Sequence, residues 1–580
     1  MKKLISLLLC LAMLACTLAG CSDVEDEDKG ATIPVYLTAE LRNFDPAYCY
    51  TDEGMMQLMG LLFQGLTKIN SKGAVEGDLA KKWNYEVDSI NDTYVLEFTL
   101  NKTYWSDGRQ VSADDLVYAW KRIMEPEFHS EAASMLAEVK NAAQVKNGDV
   151  SIDDLGVYAL DTTVFQVEFD HDIDVDTFLR YCASPALIPL REDAVNRVED
   201  WSSNVSSLTT NGPFTIRVMT EEKMVLERNT YYYRDYEKDS LKKSVTPYRL
   251  SIDLTVSPEA QLTAFDAGEL DYVGYIPLAQ RSAYADRVKL EDTQNTHTYF
   301  FNTTKAPFDN ASVRKALSMA LDRNAIANLV VFAEPATGIV NGSGVFGSSN
   351  KATYRSEAGD LISSSADIAG AQSLINSAGV SVKDFAITVR EEDEVARAIA
   401  DYCAQQWSQL GFNVTVRTLA YRAWSTESEY DVYADTFSEA YQAGDFDVIA
   451  IDWEAISSVA FPTLASFAKQ YAGGSMDLSE VNESGDFQVQ PHITGYDDET
   501  YNALMDEIIA IKDNASRQEK LHEAEKMLVE AMPVMPLVTY KRAYMIGDDL
   551  AKTTQAPFRA FTIFSKAKKK SYTPDTSTGK

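Results

Sequence analysis

The sequence predicts an α/β protein, and three segments carry that prediction. Tyr94-Val95-Leu96-Glu97-Phe98-Thr99-Leu100 places Tyr94, Leu96, Phe98 and Leu100 on one face of an alternating strand. Leu116, Val117, Trp120 and Ile123 recur at helical spacing. Phe446-Asp447-Val448-Ile449-Ala450-Ile451 is an almost unbroken apolar run, as expected of a strand covered on both faces.

In chain order, Thr32 to Leu37 reads as a short strand, and Met55 to Phe63 as a helix ending near Gly65. Ser106-Asp107-Gly108 turns the chain. Ser112-Ala113-Asp114-Asp115 then matches a capping box, the serine accepting from a helical N–H while Asp115 reaches back. Trp120 in the following helix reads as core. Val164 to Phe169 is a strand, and Asp170 to Asp176 after it a solvated loop. Leu250, Ile252, Leu254 and Val256 alternate with polar residues in another half-buried strand, after which Ser257-Pro258 starts a helix that Gly268 ends. Val313, Ala316, Leu317, Ala320 and Leu321 form one stripe behind Asp309-Asn310. A helix through Trp407 and Leu410 stops at Gly411, and Phe412 to Val416 is a strand. The Gly-, Ser-, Asn- and acid-rich stretches Gly342 to Ser365 and Gly473 to Gly495 read as long surface loops. No internal repeat is visible.

Met1-Lys2-Lys3, the apolar run Leu4 to Leu14 and Leu18-Ala19-Gly20-Cys21 have the order of a signal peptide, and the run is far short of the ~20 residues of a membrane-spanning helix. Leu18-Ala19-Gly20-Cys21 resembles the lipobox of bacterial lipoproteins, which implies lipid attachment at Cys21 and an extracytoplasmic, membrane-anchored location. Ser22 to Gly30 is too polar to bury and reads as a spacer. Beyond Cys21 only Cys49, Cys182 and Cys403 remain, an odd number without paired spacing, so disulfides are not the scaffold. A net charge of -34 argues against nucleic acid as a partner, since that needs basic patches to displace counterions.

Asn43-Phe44-Asp45-Pro46, Leu62-Phe63-Gln64-Gly65-Leu66 and Trp105-Ser106-Asp107-Gly108 before the capping box together resemble the family 5 extracellular solute-binding proteins, the peptide-binding group of ABC importers. The similarity continues through Asn211-Gly212-Pro213-Phe214, Phe265 to Asp271, Pro307-Phe308 with Val313 to Leu317, Ala524-Glu525 and Pro533 to Leu537. The resemblance implies a two-lobed periplasmic-binding-protein-like fold of the class II or cluster C type, with an extra subdomain in the first lobe. It places the signal peptide at 1–20, an acidic tether at 21–31, the first lobe's core at 32–65, 190–297 and 538–570, its subdomain at 66–189, the second lobe at 298–537 and a polar tail at 571–580. The hinge is crossed near Thr298 and again near Leu537. The implied partners are a short peptide or other small solute and the permease and ATPase subunits of an importer. The protein itself is expected to be a monomer.

Peptide binders of this family add the ligand backbone to exposed strand edges, and charged ligand ends need opposite charges. In the family, a tryptophan is followed three positions later by the aspartate that takes the peptide ammonium. Here Asp452-Trp453-Glu454-Ala455-Ile456 keeps the tryptophan and puts Ile456 in the aspartate's place. Asp452 and Glu454 are the acids at hand. Phe300, in Tyr299-Phe300-Phe301-Asn302, and Trp424 match cleft-facing positions, Tyr50 and Tyr275 are carried over from the family, and Arg422 is the candidate carboxylate partner. The alternative for Trp453 and Trp424 is core packing, and for the acids and Arg422 a solvent-facing surface.

The isolated histidines and the absence of hydrolase, metalloprotease or phosphate-cradling motifs argue against an enzyme. No cofactor or metal is expected. Asp170 to Asp176 lacks the glycine and terminal glutamate of an EF-hand loop. A sensory or surface receptor on the same fold, and a binding protein for a sugar or metal complex, remain the rival readings.

Overall fold

The computed structural model describes residues 28–37, 44–51, 53–128, 130–198, 201–202, 208–220, 222–232, 244–420, 436–471, 476–481, 487–489, 492–555 and 562–574. The expected signal peptide and Cys21 lie outside them. So do Arg422 and Trp424.

One sheet of eleven strands runs through the protein. Its order is Asn413–Leu419, Asp384–Arg390, Val448–Glu454, Lys289–Phe301, Val534–Ile546, Tyr272–Val273, Thr32–Tyr36, Arg249–Asp253, Lys223–Arg228 and Phe214–Met219, with Ala333–Pro335 paired to Val534–Ile546. Thr32–Tyr36 is parallel to both neighbours, and Asp384–Arg390 is parallel to both of its own. The apolar run at Phe446 is such a central strand, with Val448 and Ile449 fully buried.

The two lobes share two crossing strands of 13 residues each, Lys289–Phe301 and Val534–Ile546, antiparallel to one another. Their register shifts twice, between Asp292 and Thr296 and between His297 and Thr298. Only Tyr299 onward was legible as a strand in advance. The preceding Thr293 to Thr298 are all polar yet all buried. Their side chains find partners inside: Thr293 Oγ1 donates to the Tyr540 carbonyl (2.7 Å), Gln294 Nε2 to the Gly344 carbonyl (2.8 Å), and Thr296 Oγ1 accepts from Asn341 (2.9 Å).

The first lobe's subdomain is a four-stranded antiparallel sheet in the order Ala80–Asp88, Thr93–Leu100, Val164–Phe169, Val157–Asp161. Helix Ala113–Met124 packs on it through Trp120, which is fully buried, lies edge-on to Phe165 (centroids 5.0 Å apart) and donates to the Leu187 carbonyl (3.1 Å). The capping box closes as expected on the acid's side: Asp115 Oδ2 accepts from the Ser112 N–H (2.8 Å) and also from the Trp105 indole (3.0 Å).

Several sequence motifs acquire physical reasons. The Asn211 side chain exchanges two hydrogen bonds with the Gln64 backbone (3.0 and 3.2 Å), and a Cβ at Gly212 would stand 2.5 Å from the Leu62 carbonyl carbon. Only glycine lets these segments approach so closely. Asp45 takes both terminal nitrogens of Arg122 (3.0 and 2.5 Å). Helix Pro258–Asp266 starts at Ser257 and is followed by Gly268 at φ 77, and helix Glu394–Ser408 is followed by Gly411 at φ 82.

Three loop expectations change. Gly342 to Ser365 is no surface loop: Val345 and Tyr354 are fully buried, a helix spans Tyr354–Ala358, and the Tyr354 hydroxyl donates to the Leu521 carbonyl (2.9 Å). With Phe346 and Ile362 also buried, four apolar side chains in a polar context draw the segment inward. Between Gly473 and Gly495 the described residues include paired strands Met476–Val481 and Phe487–Val489. Asp170 to Asp176 is solvent-exposed at both ends, as expected, but is tied down in between, with Asp172 bridging Lys512 (2.5 Å) and Ile173 buried.

Candidate functional site

Trp453 lies in strand Val448–Glu454, paired opposite Thr296 of the crossing strand. Successive strand side chains point to opposite faces. Trp453 therefore shares a face with Phe300, and the rings meet edge to face at 5.7 Å. Both rings are buried, Phe300 1% and Trp453 8% exposed, and the packed cluster continues through Phe467, 5.8 Å from Trp453, and through Tyr441 and His492, which lie 6.5 and 5.5 Å from Phe300. Burial pushes the His492 imidazole down to about 3, so it is neutral at physiological pH.

The same alternation sends Asp452 and Glu454 to the other face. Asp452 is opposite His297 and Glu454 opposite Asn295. Asp452 Oδ1 meets His297 Nδ1 (2.6 Å) and accepts from the Tyr540 hydroxyl (3.1 Å). Burial raises the Asp452 carboxyl, but His297, Arg390 and Tyr540 together outweigh it and hold the group below the usual carboxylate range. Nearby Asp393 is shifted up, by burial and then by the Asp452 charge. Glu454 is only 2% exposed. The acids that flank Trp453 in sequence thus do not join it on one surface, because a strand has a period of two.

The other expected residues are dispersed. The Tyr275 hydroxyl donates to Glu394 Oε1 (3.0 Å), which also accepts from the Leu278 N–H (2.7 Å) and so ties the first lobe to the start of helix Glu394–Ser408. Burial raises the Tyr275 hydroxyl. Tyr50 belongs to the 3-10 helix Pro46–Thr51, which packs against the Trp453 strand. Ile456 is 3% exposed, and its carbonyl accepts from Ser184 Oγ of the subdomain (2.6 Å).

An acid that sequence reasoning missed reaches the Trp453 surface from the other lobe. Glu131 opens the 3-10 helix Glu131–Leu136 of the subdomain, and its Oε2 lies 3.5 Å from the Trp453 indole nitrogen, the long limit of a hydrogen bond. Burial pushes this carboxyl up to about 7, with the indole pulling weakly the other way. The residue is half-buried. No local pattern marks it, since its contact spans 322 positions.

The Trp453 strand also offers backbone. On one side it pairs with the crossing strand from Val448 to Glu454. On the other, Asp384–Arg390 pairs with it only at Val448 and Ile449. Among the described residues no strand covers the outer edge from Ala450 onward, which leaves main-chain donors and acceptors next to Trp453.

The subdomain is fastened to the second lobe at a separate point. Glu138 and Arg517 form a buried ion pair (2.8 Å; side chains 3% and 2% exposed), and His171 approaches Glu138 (3.5 Å) and the Ile509 carbonyl (3.2 Å). The hydrogen bond to Glu138 is the main reason the His171 imidazole is shifted up. With Ser184–Ile456 and Asp172–Lys512, these contacts join residues 138–184 to residues 456–517.

The family model for bacterial extracellular solute-binding proteins, family 5 Middle, matches residues 74–475. The oligopeptide-binding protein OppA of Bacillus subtilis is 26% identical over 504 residues, 84% of each chain. Among solved structures, Listeria monocytogenes OppA bound to peptide superposes with a TM-score of 0.75 at 18% identity, covering 94% of this chain and all of that one. The murein tripeptide binding protein MppA of Escherichia coli gives 0.74 at 22% identity, covering 93% and 98%.

Proposed function

Since the chain belongs to the family 5 bacterial extracellular solute-binding proteins, we propose that it captures a short peptide between its lobes and hands it to the permease of an ABC importer. The observation that carries this reading is the uncovered edge of the Trp453 strand beside the aromatic surface. An extended peptide adds to such an edge through its backbone, which every peptide has, and leaves its side chains to neighbouring pockets. Lobe closure then selects ligands by the contacts made only when the cleft is shut.

The working division of the chain is the first lobe's core at 32–65, 190–297 and 538–570, its subdomain at 66–189 and the second lobe at 298–537. The crossing strands form the hinge. Lipid attachment at Cys21 keeps the protein beside its permease, and Cys21→Ala is expected to release it into the soluble fraction. Mass spectrometry of ligand released from the purified protein, with thermal-shift screening against peptides, sugars and metal ions, tests the cargo. A bound sugar, or no response to any peptide, refutes the peptide assignment.

A further inference from the structure

Resting on the reading of a cleft that closes on a peptide, we propose that Phe346 of the second lobe is the latch of that closure. Its ring seats in a socket formed by Gly73 and Arg180 of the subdomain, and so sets how long any ligand stays bound. The floor of the socket is a braced turn. Strands Thr67–Ile69 and Val75–Gly77 pair as a ribbon, and at its tip Asn70 Oδ1 accepts from the Lys72 and Ala74 N–H groups (2.8 and 3.1 Å). Gly73 sits there at φ 75, and a Cβ on it would stand 2.8 Å from the edge of the Phe346 ring. A side chain at this position is therefore opposed twice, by backbone strain and by the ring.

The wall of the socket is Arg180, near the end of helix Val175–Tyr181. Its Nε pairs with Asp176 (2.8 Å), its Nη2 donates to the Gly73 carbonyl (3.0 Å), and its guanidinium carbon lies 4.4 Å from the centre of the Phe346 ring. The remaining nitrogen, Nη1, is buried without a hydrogen-bond acceptor. Such burial is costly, and an aromatic ring beside the cation offsets part of the cost. Phe346, only 6% exposed, is that ring. Withdrawing it would return apolar area to water and give up the cation–π contact, so the seated ring resists opening.

The latch is connected to the ligand edge. The Phe346 N–H donates to the Ser458 carbonyl (2.9 Å), and Ser184 Oγ of the subdomain donates to the Ile456 carbonyl (2.6 Å). Both anchor points lie on the run that leaves the Trp453 strand, so the seating of the ring and the placement of that strand are set together. A latch of this kind acts through the equilibrium between open and closed forms. It therefore strengthens every ligand that needs closure by the same factor.

Isothermal titration calorimetry and stopped-flow tryptophan fluorescence with tetra-alanine and with Ala-Leu-Ala-Leu test this on ligand-stripped parent protein and on Phe346→Ala, Phe346→Leu and Arg180→Gln. Phe346→Ala should weaken both peptides by the same factor, roughly tenfold or more, with the change in the off-rate. Phe346→Leu keeps apolar bulk in the socket, and Arg180→Gln keeps a donor for the Gly73 carbonyl, so each should give a smaller loss. Adding Arg180→Gln to Phe346→Leu should cost little more, because the ring that the cation faces is already gone. Affinities equal to the parent's in all three single variants, even with a lower Tm, overturn the proposal, since the socket then stays shut when the cleft opens. A loss confined to one peptide makes Phe346 a ligand contact and overturns it too. Both outcomes leave peptide capture intact, whereas failure of either peptide to bind the parent protein at all sinks capture and this proposal together.

Discussion

Glu131→Gln should stabilise the protein relative to the parent as pH rises. The carboxyl titrates at about 7 in the folded protein against an ordinary value of 4.5. An acid whose folded value is raised binds more protons folded than unfolded across that interval, so its contribution to stability falls as pH rises from about 4.5 to 7. At about 1.4 kcal/mol per unit the full loss is on the order of 3 kcal/mol, and roughly 2.5 kcal/mol of it falls between pH 5 and pH 8. The unfolding entropy of a chain this long is roughly 1.2 kcal/mol per degree, so the gap in Tm between variant and parent should widen by about 2 °C from pH 5 to pH 8. Differential scanning calorimetry of ligand-stripped protein measures it. A gap that is the same at both pH values would refute the buried, proton-binding state of Glu131.

Glu138→Ala removes one half of a buried pair, but Arg517 keeps its bonds to the Ile509 and Ile511 carbonyls (3.2 and 2.8 Å), so the cost should sit near the lower end of such losses, about 3 kcal/mol. Because the pair joins the lobes, that cost should appear as a ligand affinity about a hundredfold weaker, and a fall in Tm with affinity unchanged would show that the contact persists when the cleft opens. Asp115→Ala strands the Trp105 indole and the Ser112 N–H, each worth about 1–3 kcal/mol when buried without an acceptor, and should lower Tm by about 2–4 °C with no effect on affinity. Asp452, held below the usual carboxylate range, stabilises the fold above its ordinary pKa and loses that contribution as pH falls through its folded value. Asp452→Asn should therefore flatten the loss of stability below about pH 4 in acid-unfolding curves, and an unchanged acid limb would contradict the His297–Asp452 pairing.

What was legible in the sequence was whatever repeats or caps locally. The alternating strand at Tyr94, the Trp120 helix with its capping box and the apolar strand at Val448 all formed as read. The two-lobed class was legible because many short motifs stood in order, and the pairs Asn211 with Gln64 and Asp45 with Arg122 show such motifs meeting in space. The polar start of strand Lys289–Phe301 was hidden, since its burial depends on partners as distant as Tyr540. Trp453 and Phe300, both singled out in the sequence, meet ring to ring, whereas the acids beside Trp453 were grouped with it despite the strand's own alternation, which turns them to the far face. Glu131 was beyond reach, because nothing near it in the chain points to Trp453. Trp424 and Arg422 lie outside the described residues, and Tyr50 is placed by its backbone alone.

The crossing strand Val534–Ile546 also sets an order of assembly. It lies between Lys289–Phe301 and Tyr272–Val273 in the middle of the sheet, and its Tyr540 meets Thr293 across 247 positions. Until it arrives, the nascent chain holds two unfinished half-sheets with facing unsatisfied edges. Pairing of such sequence-distant strands is slow because loop entropy must be overcome before the contacts form. That delay leaves the central sheet open along two long edges, and the intermediate prone to wrong pairing, until Val534–Ile546 has docked between them.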